Sequence, residues 1–337
     1  MKTRFFLLPL TIVLLLGLFT SCEQLLLEDT STDNEAIFKE AWTFLKEEYS
    51  FFELRGTDWA QQRNIYQSQV TPESSEGELF SIISNMLNDL RDRHTSLCNG
   101  RNCSEWEWRQ SAPANFDYAL IRDHYFNASL ERRGPYEVVD LGEVGYVYIS
   151  SFDYKFKEDD IAPILRQFQD HRGLIIDIRD NGGGEINSYE KLAGYFTNQK
   201  RTVGRQRYKN GPGPNDFSEW EDLFIEPTSN EIFFLRPIVL LTNRGSYSAA
   251  TLFAQTMKAI PNVTVMGDTT GGGGGLAART ELANGWLLSC SNTQFVGLDD
   301  YQAELGAFPD IQVDMDSLNI SLGIDDILEA AILELTQ

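Results

Sequence analysis

Three short strings of this sequence carry residue types that together could perform acyl transfer. One of them, 243–250 (NRGSYSAA), supplies a serine, and another, 179–184 (RDNGGG), supplies glycines whose backbone can approach a carbonyl oxygen closely. The third, 91–95 (RDRHT), supplies an imidazole in a chain with three histidines. A serine hydroxyl becomes an effective nucleophile when geometry and a neighbouring base hold it. The strings therefore predict a nucleophile, an oxyanion site and a base.

Ser248 is the predicted nucleophile. It follows an apolar run, 238–242 (IVLLT), that is typical of a buried strand, and it begins a helical pattern that extends to Ile260. At a helix start the Ala249 N–H has no intrahelical acceptor and the helix dipole favours negative charge, so this N–H can hold an oxyanion. Ser248 could instead be an ordinary N-cap. Ser246 is the weaker nucleophile because it lies within the turn.

The second oxyanion donor is expected from Gly183 or Gly184, which follow the apolar run 174–178 (LIIDI). Glycine has no Cβ to obstruct a substrate carbonyl, although an ordinary loop after a strand would also use glycine. Removing one oxyanion donor typically costs on the order of 3–4 kcal/mol in the transition state. The glycine run is therefore the predicted partner of the Ala249 N–H.

The sequence resembles the tail-specific, or C-terminal processing, serine peptidase family, whose relatives include the tricorn core protease. The resemblance extends over about 144–313 and rests on four strings in order: LIIDIRDNGGG, NRGSYSAA, GDTTGG and GAFPD. It implies an α/β fold with a ClpP/crotonase-like core of strands and helices, preceded by a small N-terminal helical subdomain. It also implies a peptide or protein substrate, and neither a cofactor nor a metal.

The resemblance also assigns the base. One branch of the family uses a lysine whose position falls on about Gly273, and no lysine follows Lys258 in this chain. The tricorn-like branch uses a histidine, which corresponds to His94. Imidazole suits this role because its pKa lies near neutrality. The family's downstream glutamate corresponds to Glu304, and Arg93 stands where that branch has a serine.

Each of these assignments has an alternative. His94 could cap the helix predicted to end near Leu90, a common role for histidine at a helix C-terminus. Glu304 could be an ordinary exposed carboxylate. His124 and His171 are weaker candidates for the base, because one lies in a variable-looking segment and the other in the loop before a strand.

The chain divides into four predicted segments. Residues 1–22 read as a secretory signal with a lipobox-like end, which predicts a lipid on Cys22, and residues 23–34 read as a tether. A helical region is predicted over 35–98, and the α/β peptidase core over 99–337. Attachment to a membrane is expected through the N-terminal lipid alone.

Within the core, two segments have an unusual composition. Residues 200–230 are rich in Arg, Gly, Pro and acids, which predicts an excursion over the surface. Residues 271–275 are five consecutive glycines, predicted to form a flexible lip over a peptide groove. The stretch between His94 and Val144 is too short for the PDZ domain that many family members carry at this place, so none is expected.

Charge and cysteines restrict the setting further. The formal net charge of −22 disfavours a nucleic-acid partner, because phosphate binding needs a basic surface. Cys98 and Cys103 are close in sequence and, after export, would lie in an oxidising compartment, which favours a disulfide over a metal site. Cys290 is expected to be a small buried apolar residue.

The sequence therefore predicts an exported serine endopeptidase with a Ser/His mechanism and a backbone oxyanion hole. The main alternative is a catalytically impaired member of the same fold that binds peptides or serves as a cell-envelope scaffold, favoured by Arg93 and the absent lysine. An esterase is a second alternative, because the same nucleophile and oxyanion hole serve esters. Nothing in the sequence indicates an oligomeric state.

Overall fold

The computed structural model describes residues 33–104, 106, 112–126, 130–230 and 232–337. The predicted signal segment, the lipid site at Cys22 and nearly all of the tether lie outside the described residues. Within the described ranges, no helix combines the length and the apolar character needed to cross a bilayer.

The helices of the described residues range from 4 to 15 residues in length. They are α1 (Asn34–Glu48), α2 (Phe52–Arg55), α3 (Trp59–Gln67), α4 (Glu76–Asn88), α5 (Tyr118–His124), α6 (Glu158–Gln167), α7 (Ile186–Ala193), α8 (Ala249–Lys258), α9 (Ser317–Ser321) and α10 (Asp326–Thr336). Side chains of Asp33, Asp58, Ser75, Asp117, Asp316 and Asp325 cap α1, α3, α4, α5, α9 and α10 by accepting backbone N–H groups.

Where the structure describes the chain, the strands form three sheets. They are β1 (Ser96–Cys98), β2 (Glu131–Arg133), β3 (Tyr136–Asp140), β4 (Val144–Ile149), β5 (Gly173–Asp177), β6 (Arg201–Tyr208), β7 (Glu221–Ile225), β8 (Ile238–Thr242), β9 (Val263–Gly267), β10 (Ala277–Glu281), β11 (Leu287–Ser291), β12 (Thr293–Val296) and β13 (Ile311–Gln312). The largest sheet has seven strands in the order β13-β9-β8-β5-β4-β3-β2.

The central strands β4, β5, β8 and β9 of this sheet are parallel and buried on both faces. In β8, Ile238 and Leu240 face the helices α6, α7 and α8, while Val239 and Leu241 face α5 and α10. Burial on both faces explains the continuous apolar runs in the sequence, because a parallel sheet covered by helices has no polar side. The α/β class predicted from the sequence is confirmed, and the carboxyl ends of β5 and β8 lie side by side.

The N-terminal helices pack on the β10–β11 hairpin, which comes late in the sequence. Their apolar cluster contains Leu282, Trp286, Leu288 and Cys290, which come from the β10–β11 hairpin and its connecting loop. Strand β1 pairs antiparallel with β11 in the same region. The helical region therefore shares one hydrophobic core with residues that follow the serine turn, the turn at 243–248 that carries Ser248.

Residues 200–230 lie mostly at the surface, as predicted, but they also form two strands that the sequence did not indicate. The strands β6 and β7 pair with each other, and β6 also pairs with β12, in a three-stranded antiparallel sheet. The apolar alternation that marks a strand is missing here, because arginines of β6 cover aromatic rings instead: the Arg207 guanidinium lies 4.6 Å from the Trp220 ring centroid. When cationic side chains take the place of apolar ones in packing on aromatic rings, a strand cannot be identified from its hydrophobicity pattern.

A buried ion network lies where β5 ends and the glycine loop begins. The Arg179 side chain is fully buried and contacts Asp177 at 2.6 Å and Asp325 at 2.9 Å. Tyr146 donates its hydroxyl to Asp177 at 2.8 Å. The network therefore ties the start of the 179–184 string to the N-terminus of α10.

Replacing Arg179 with methionine should destabilise the fold strongly. The change leaves two buried carboxylates without their cation, and breaking a buried pair in this way costs about 3–5 kcal/mol. Urea denaturation of the purified chain, followed by circular dichroism, measures the loss as a lower midpoint. The matched control is Arg122→Met, because Arg122 and its partner Asp123 are exposed and their ion pair should matter little. Equal midpoints for the two variants would show that the network does not stabilise the fold.

Candidate active site

Ser248 has an unusual backbone conformation. It stands between the end of β8 and the first residue of α8 with φ 56° and ψ −120°, a region that non-glycine residues rarely adopt. Its side chain makes no N-cap hydrogen bond, and its backbone N–H donates to the Gly272 carbonyl at 2.8 Å. The N-cap alternative thus lacks its defining bond. Strain of this kind is typical of functional sites, where the surrounding structure holds it.

The turn that carries Ser248 is fixed by its own polar side chains. Ser246 is fully buried and donates its hydroxyl to the Ile178 carbonyl at 2.8 Å. Asn243 Oδ1 accepts the backbone N–H groups of Gly245 at 3.0 Å and Ser246 at 3.2 Å. Ser246 is therefore a clamp between this turn and the end of β5, which leaves Ser248 as the serine whose hydroxyl is not committed to such a bond.

The glycine loop after β5 contacts the serine directly at Gly183. A Cβ on Gly183 would lie 2.9 Å from both the Ser248 Cβ and the Ala249 nitrogen, and Gly183 has φ +100°. Its N–H donates to Asn181 Oδ1 at 2.9 Å. The N–H of the next residue, Gly184, has no acceptor among the described residues. In this conformation the Gly184 N–H is therefore free to bind a substrate oxygen, whereas the Gly183 N–H is already bonded to Asn181.

If the N–H groups of Ala249 and the glycine loop bind an oxyanion, replacing Gly183 with alanine should lower kcat by about 10²–10³-fold, because displacing these backbones misplaces a donor. The added Cβ cannot be accommodated without moving the backbone of Ser248 or Ala249, and the left-handed φ adds strain. Steady-state hydrolysis of a reporter peptide measures the loss. Gly182→Ala is the matched control, because a Cβ at Gly182 meets nothing within 4 Å and its φ is not in the left-handed region. Equal losses in both variants would contradict a specific role for Gly183.

His94 reaches the serine turn from the N-terminal region. It lies in the turn between α4 and β1, where its backbone N–H donates to Asp92 Oδ1 at 2.8 Å and its carbonyl accepts the Ser289 hydroxyl at 3.0 Å. Its imidazole packs on the ring of Tyr247, with the centroids 5.1 Å apart. The predicted base thus packs on the residue that precedes the predicted nucleophile, and among the described residues no hydrogen bond joins the Ser248 hydroxyl to the His94 ring.

The surroundings of His94 favour its neutral form. Burial lowers the pKa of the imidazole, while the charge of Asp92 and the Gly275 backbone act in the opposite direction. The ring nitrogen Nδ1 is buried and has no hydrogen-bond partner among the described residues. A neutral imidazole with an uncommitted nitrogen can accept a proton at neutral pH.

Glu304 binds an arginine. It lies in a short 3-10 helix, Ala303–Leu305, and its buried carboxylate contacts Arg55 of α2 at 2.5 Å. Burial and the negative charge of Asp92 raise the pKa of Glu304 to about 8, and Arg55 opposes that shift. Among the described residues, no hydrogen bond links Glu304 to the His94 ring. Glu304 is therefore neither the exposed carboxylate of the alternative nor a direct partner of the imidazole.

The first three of the five glycines at 271–275 contact the turn that carries Ser248, and the run does not form an exposed lip. Residues 272–275 are buried, and Gly272 accepts the Ser248 N–H and the Thr251 hydroxyl. A Cβ on Gly273 would lie 2.3 Å from the Tyr247 ring. The tyrosine ring thus fills the space beside residue 273 and carries the His94 imidazole on it.

The other histidines and the cysteines lie elsewhere. His171 binds Asp140 at 3.1 Å and precedes β5, at the end of the parallel strands opposite the serine turn. The ring of His124 packs against Gly323. Cys98 and Cys103 are joined by a disulfide, and Cys290 is a buried free thiol. In the described part of the chain, no cluster of three or more His, Cys, Asp or Glu side chains could hold a metal.

A model of peptidase family S41 matches residues 143–313, which is half of the chain and includes β4, β5, β8 and the serine turn. The chain belongs to peptidase family S41. A model of the tricorn protease C1 domain also matches residues 30–88, the region of α1 to α4. The family predicted from the sequence is confirmed, and membership of family S41 indicates a serine-type peptidase, which is a hydrolase.

Individual relatives of family S41 agree with this assignment. A crystal structure described as that of a peptidase from Parabacteroides merdae ATCC 43184 is 34% identical, with a TM-score of 0.86, and the match covers 91% of this chain and 98% of that one. The carboxy-terminal processing protease CtpB of Bacillus subtilis (strain 168) is 29% identical over 144 residues, 42% of this chain and 28% of that protein. CtpA of the same organism is 23% identical over 211 residues, 62% of this chain and 42% of that protein. The chain thus spans less than half of the length of these curated relatives.

Two site residues escaped the reasoning from sequence. Tyr247 lies inside the NRGSYSAA string, but nothing in the string marks its ring as the platform for His94. Arg55 gives no local signal, because its partner Glu304 is far along the chain. Contacts of this kind depend on which loops the fold brings together.

Proposed function

We propose that this chain is an exported serine endopeptidase that hydrolyses peptide bonds with Ser248 as nucleophile and His94 as general base. The observation that carries the proposal is the strained backbone of Ser248 at the N-terminus of α8. The Ser248 hydroxyl makes no cap bond, and Ser248 directly follows Tyr247, on whose ring the His94 imidazole packs. Strain held at a residue whose hydroxyl caps nothing is better explained by catalysis than by folding.

The reaction follows the Ser/His template. The Ser248 Oγ attacks the substrate carbonyl carbon while the His94 ring takes the hydroxyl proton, and the resulting oxyanion is bound by the N–H groups of Ala249 and of Gly183 or Gly184. The imidazolium then gives the proton to the leaving amine, and a water attacks the acyl-enzyme by the same route. Hydrogen bonds at such sites are often long before substrate binds, so the missing bond from Ser248 to His94 is compatible with this role.

Glu304 has a positioning role in this proposal. Its ion pair with Arg55 fixes the 3-10 helix, and the Gly272 backbone lies against the Glu304 backbone. Since Gly272 also accepts the Ser248 N–H, Glu304 would orient the nucleophile through the glycine run and not through the imidazole.

Export and anchoring rest on the first 22 residues. The apolar run that ends at Thr20-Ser21-Cys22 supports a cleaved signal with a lipid on Cys22, and so a place in the cell envelope, in the periplasm or at the outer membrane. The disulfide between Cys98 and Cys103 is in keeping with an oxidising compartment.

A fluorophosphonate probe tests the proposed mechanism. This reagent phosphonylates an activated serine, so intact-mass analysis should find one adduct and peptide mapping should place it on Ser248. Turnover of a peptide and of a simple ester by the same preparation then separates a peptidase from an esterase. Hydrolysis of the ester alone would overturn the peptidase proposal.

The second candidate is a catalytically impaired protein of the same fold that binds peptides or cell-envelope partners. The observation that favours it is the absence, among the described residues, of a hydrogen bond between Ser248 and His94, together with an Arg93 side chain that stacks on Tyr247 at 3.9 Å. A well-folded chain with no adduct on Ser248 would select this candidate.

A further inference from the structure

A cavity of about 630 Å³ lies among α7, α8, β6 and β7, and neither Ser248, His94 nor the glycine loop lines it. Thr256, the residue of α8 on its wall, comes eight residues after Ser248, which corresponds to about 12 Å along the helix axis. The cavity is therefore separate from the candidate active site. Five aromatic side chains form much of its wall, namely Phe156, Tyr189, Tyr195, Phe224 and Phe295.

The charged side chains on this wall are mainly acidic, with Glu158, Glu190 and Glu226 against Lys191. Glu226 pairs with Lys200 at 2.7 Å, and Glu158 lies in the first turn of α6, where the helix dipole stabilises a carboxylate. Lys191 follows Glu190 directly in α7, and no ion pair of the described residues joins the two, since successive helical side chains point about 100° apart. Glu190 thus has neither a cation nor a helix N-terminus to stabilise its charge.

The surroundings of Glu190 favour the arrival of a cation. Solvent reaches its side chain, but enough protein surrounds the carboxyl group that burial raises its pKa, and no neighbouring charge opposes that shift. The preceding residue, Tyr189, is 5% exposed, and its hydroxyl makes no hydrogen bond within the described ranges. An uncompensated carboxylate and an unpaired hydroxyl on one wall indicate a ligand that brings both a positive charge and N–H donors.

The chain itself shows how this wall holds a cation. The Lys200 ammonium lies 4.2 Å from the centroid of the Phe224 ring and 2.7 Å from the Glu226 carboxylate. The face of an aromatic ring and a carboxylate both attract an ammonium group. The part of the wall around Glu190 has the same groups, a carboxylate among aromatic side chains, but no side chain of the described residues supplies the cation.

A polypeptide is the occupant that the neighbouring strand favours. Residues 223–226 line the cavity and comprise the last three residues of β7 and the residue after it. In the described part of the chain, β7 is an edge strand, since its three-stranded sheet has the order β12-β6-β7. An edge strand has backbone N–H and C=O groups without a strand partner, and an extended peptide can pair with them.

We propose that this cavity binds a lysine or arginine side chain of a polypeptide. The Glu190 carboxylate and the Tyr189 hydroxyl accept N–H groups of the cationic head, and the aromatic side chains of the wall contact its alkyl stem. Since Ser248 takes no part, this binding is independent of whether the chain hydrolyses peptides.

Peptide retention tests the inference without turnover. A pool of random eight-residue peptides, acetylated and amidated so that only their side chains carry charge, is passed over the immobilised Ser248→Ala chain at about 0.15 M salt. Mass spectrometry identifies the retained peptides. Lysine, arginine or both should be enriched about tenfold over the input pool, as expected for one charge-assisted contact. Enrichment of one of them alone identifies the cationic group that fits the cavity.

Two charge-matched variants assign the enrichment to the cavity. The net charge of −22 attracts any basic peptide, so adding Glu190→Gln is compared with adding Glu47→Gln, which removes the same charge from an exposed position of α1. Most of the enrichment should be lost in the Glu190→Gln chain and kept in the Glu47→Gln chain. Tyr189→Phe, which deletes only the hydroxyl, should reduce it in part. Thermal melts show whether each variant is folded.

Equal enrichment in the Glu190→Gln and Glu47→Gln chains, or none in the parent chain, overturns the inference. Hydrogen exchange gives a second measurement: a retained peptide should slow the exchange of backbone amides in β7 or α7, and protection confined to other segments also overturns it. The proposed function fails separately, if the fluorophosphonate leaves Ser248 of the wild-type chain unmodified.

Discussion

Replacing Ser248 with alanine should reduce peptide hydrolysis by on the order of 10⁴–10⁶-fold in kcat, which is the effect of removing the nucleophile of a serine protease. The expectation is this large because the other serine of the turn cannot take its place: Ser246, two residues earlier, is fully buried and bonded to the Ile178 carbonyl. Initial rates of a fluorogenic peptide, with substrate below KM, measure the loss. The same variant should give no fluorophosphonate adduct.

Two other serines serve as controls for this substitution. Ser81→Ala changes an exposed serine of α4 and should alter neither the rate nor the thermal midpoint. Ser246→Ala should lower the thermal midpoint, because it removes a buried clamp, while the remaining folded protein still carries the adduct on Ser248. Residual activity of Ser248→Ala near the wild-type rate would mean that the nucleophile lies elsewhere.

Replacing His94 with alanine should reduce kcat/KM by about 10²–10⁴-fold, the usual contribution of general-base catalysis. It should also remove a specific feature of the pH profile. In the wild-type chain the base must be unprotonated, so kcat/KM should rise with pH, and the midpoint of this rise should lie below 6.5 because burial lowers the pKa of His94. Rates measured between pH 4.5 and 9 test the position of this limb.

His171→Ala is the control for the histidine, because His171 binds Asp140 at the opposite end of the parallel strands. The His171→Ala variant should retain both the wild-type rate and the rise of kcat/KM at acidic pH. The lowered pKa of His94 also affects stability. Because the unfolded chain takes up a proton more readily than the folded chain, the free energy of unfolding should decrease as the pH falls below 6.5. If kcat/KM of the His94→Ala variant still rises with pH over the same range, another group is responsible for the rise.

Much of the fold followed from local patterns. The run 238–242 is a strand with the predicted bounds, the run 174–178 agrees with β5 to within one residue, and the helix predicted to end near Leu90 ends at Asn88. These elements obey hydrophobic periodicity because each is buried along a face or on both faces. The β6–β7 ribbon was missed for the converse reason, since its side chains are mostly polar and pack through cation–ring contacts.

The sequence by itself determined the residue types on which the proposed chemistry depends. A serine at a strand-to-helix turn, a glycine run after a buried strand and an imidazole in a chain poor in histidine are choices of residue type, and residue type together with local conformation is encoded by close neighbours along the chain. The family followed from the same strings, whose order is a property of the sequence.

Only the tertiary structure decided how these parts meet. The antiparallel pairing of β1 with β11 carries His94 to Tyr247, and the contact of Arg55 with Glu304 draws an N-terminal helix onto the glycine run. Arg55 of α2, Arg91 and Arg93 of the turn before β1, and Arg244 of the turn after β8 line one cavity. Such contacts join residues far apart in the chain, and they depend on how packed elements orient their loops, a property that no local pattern specifies.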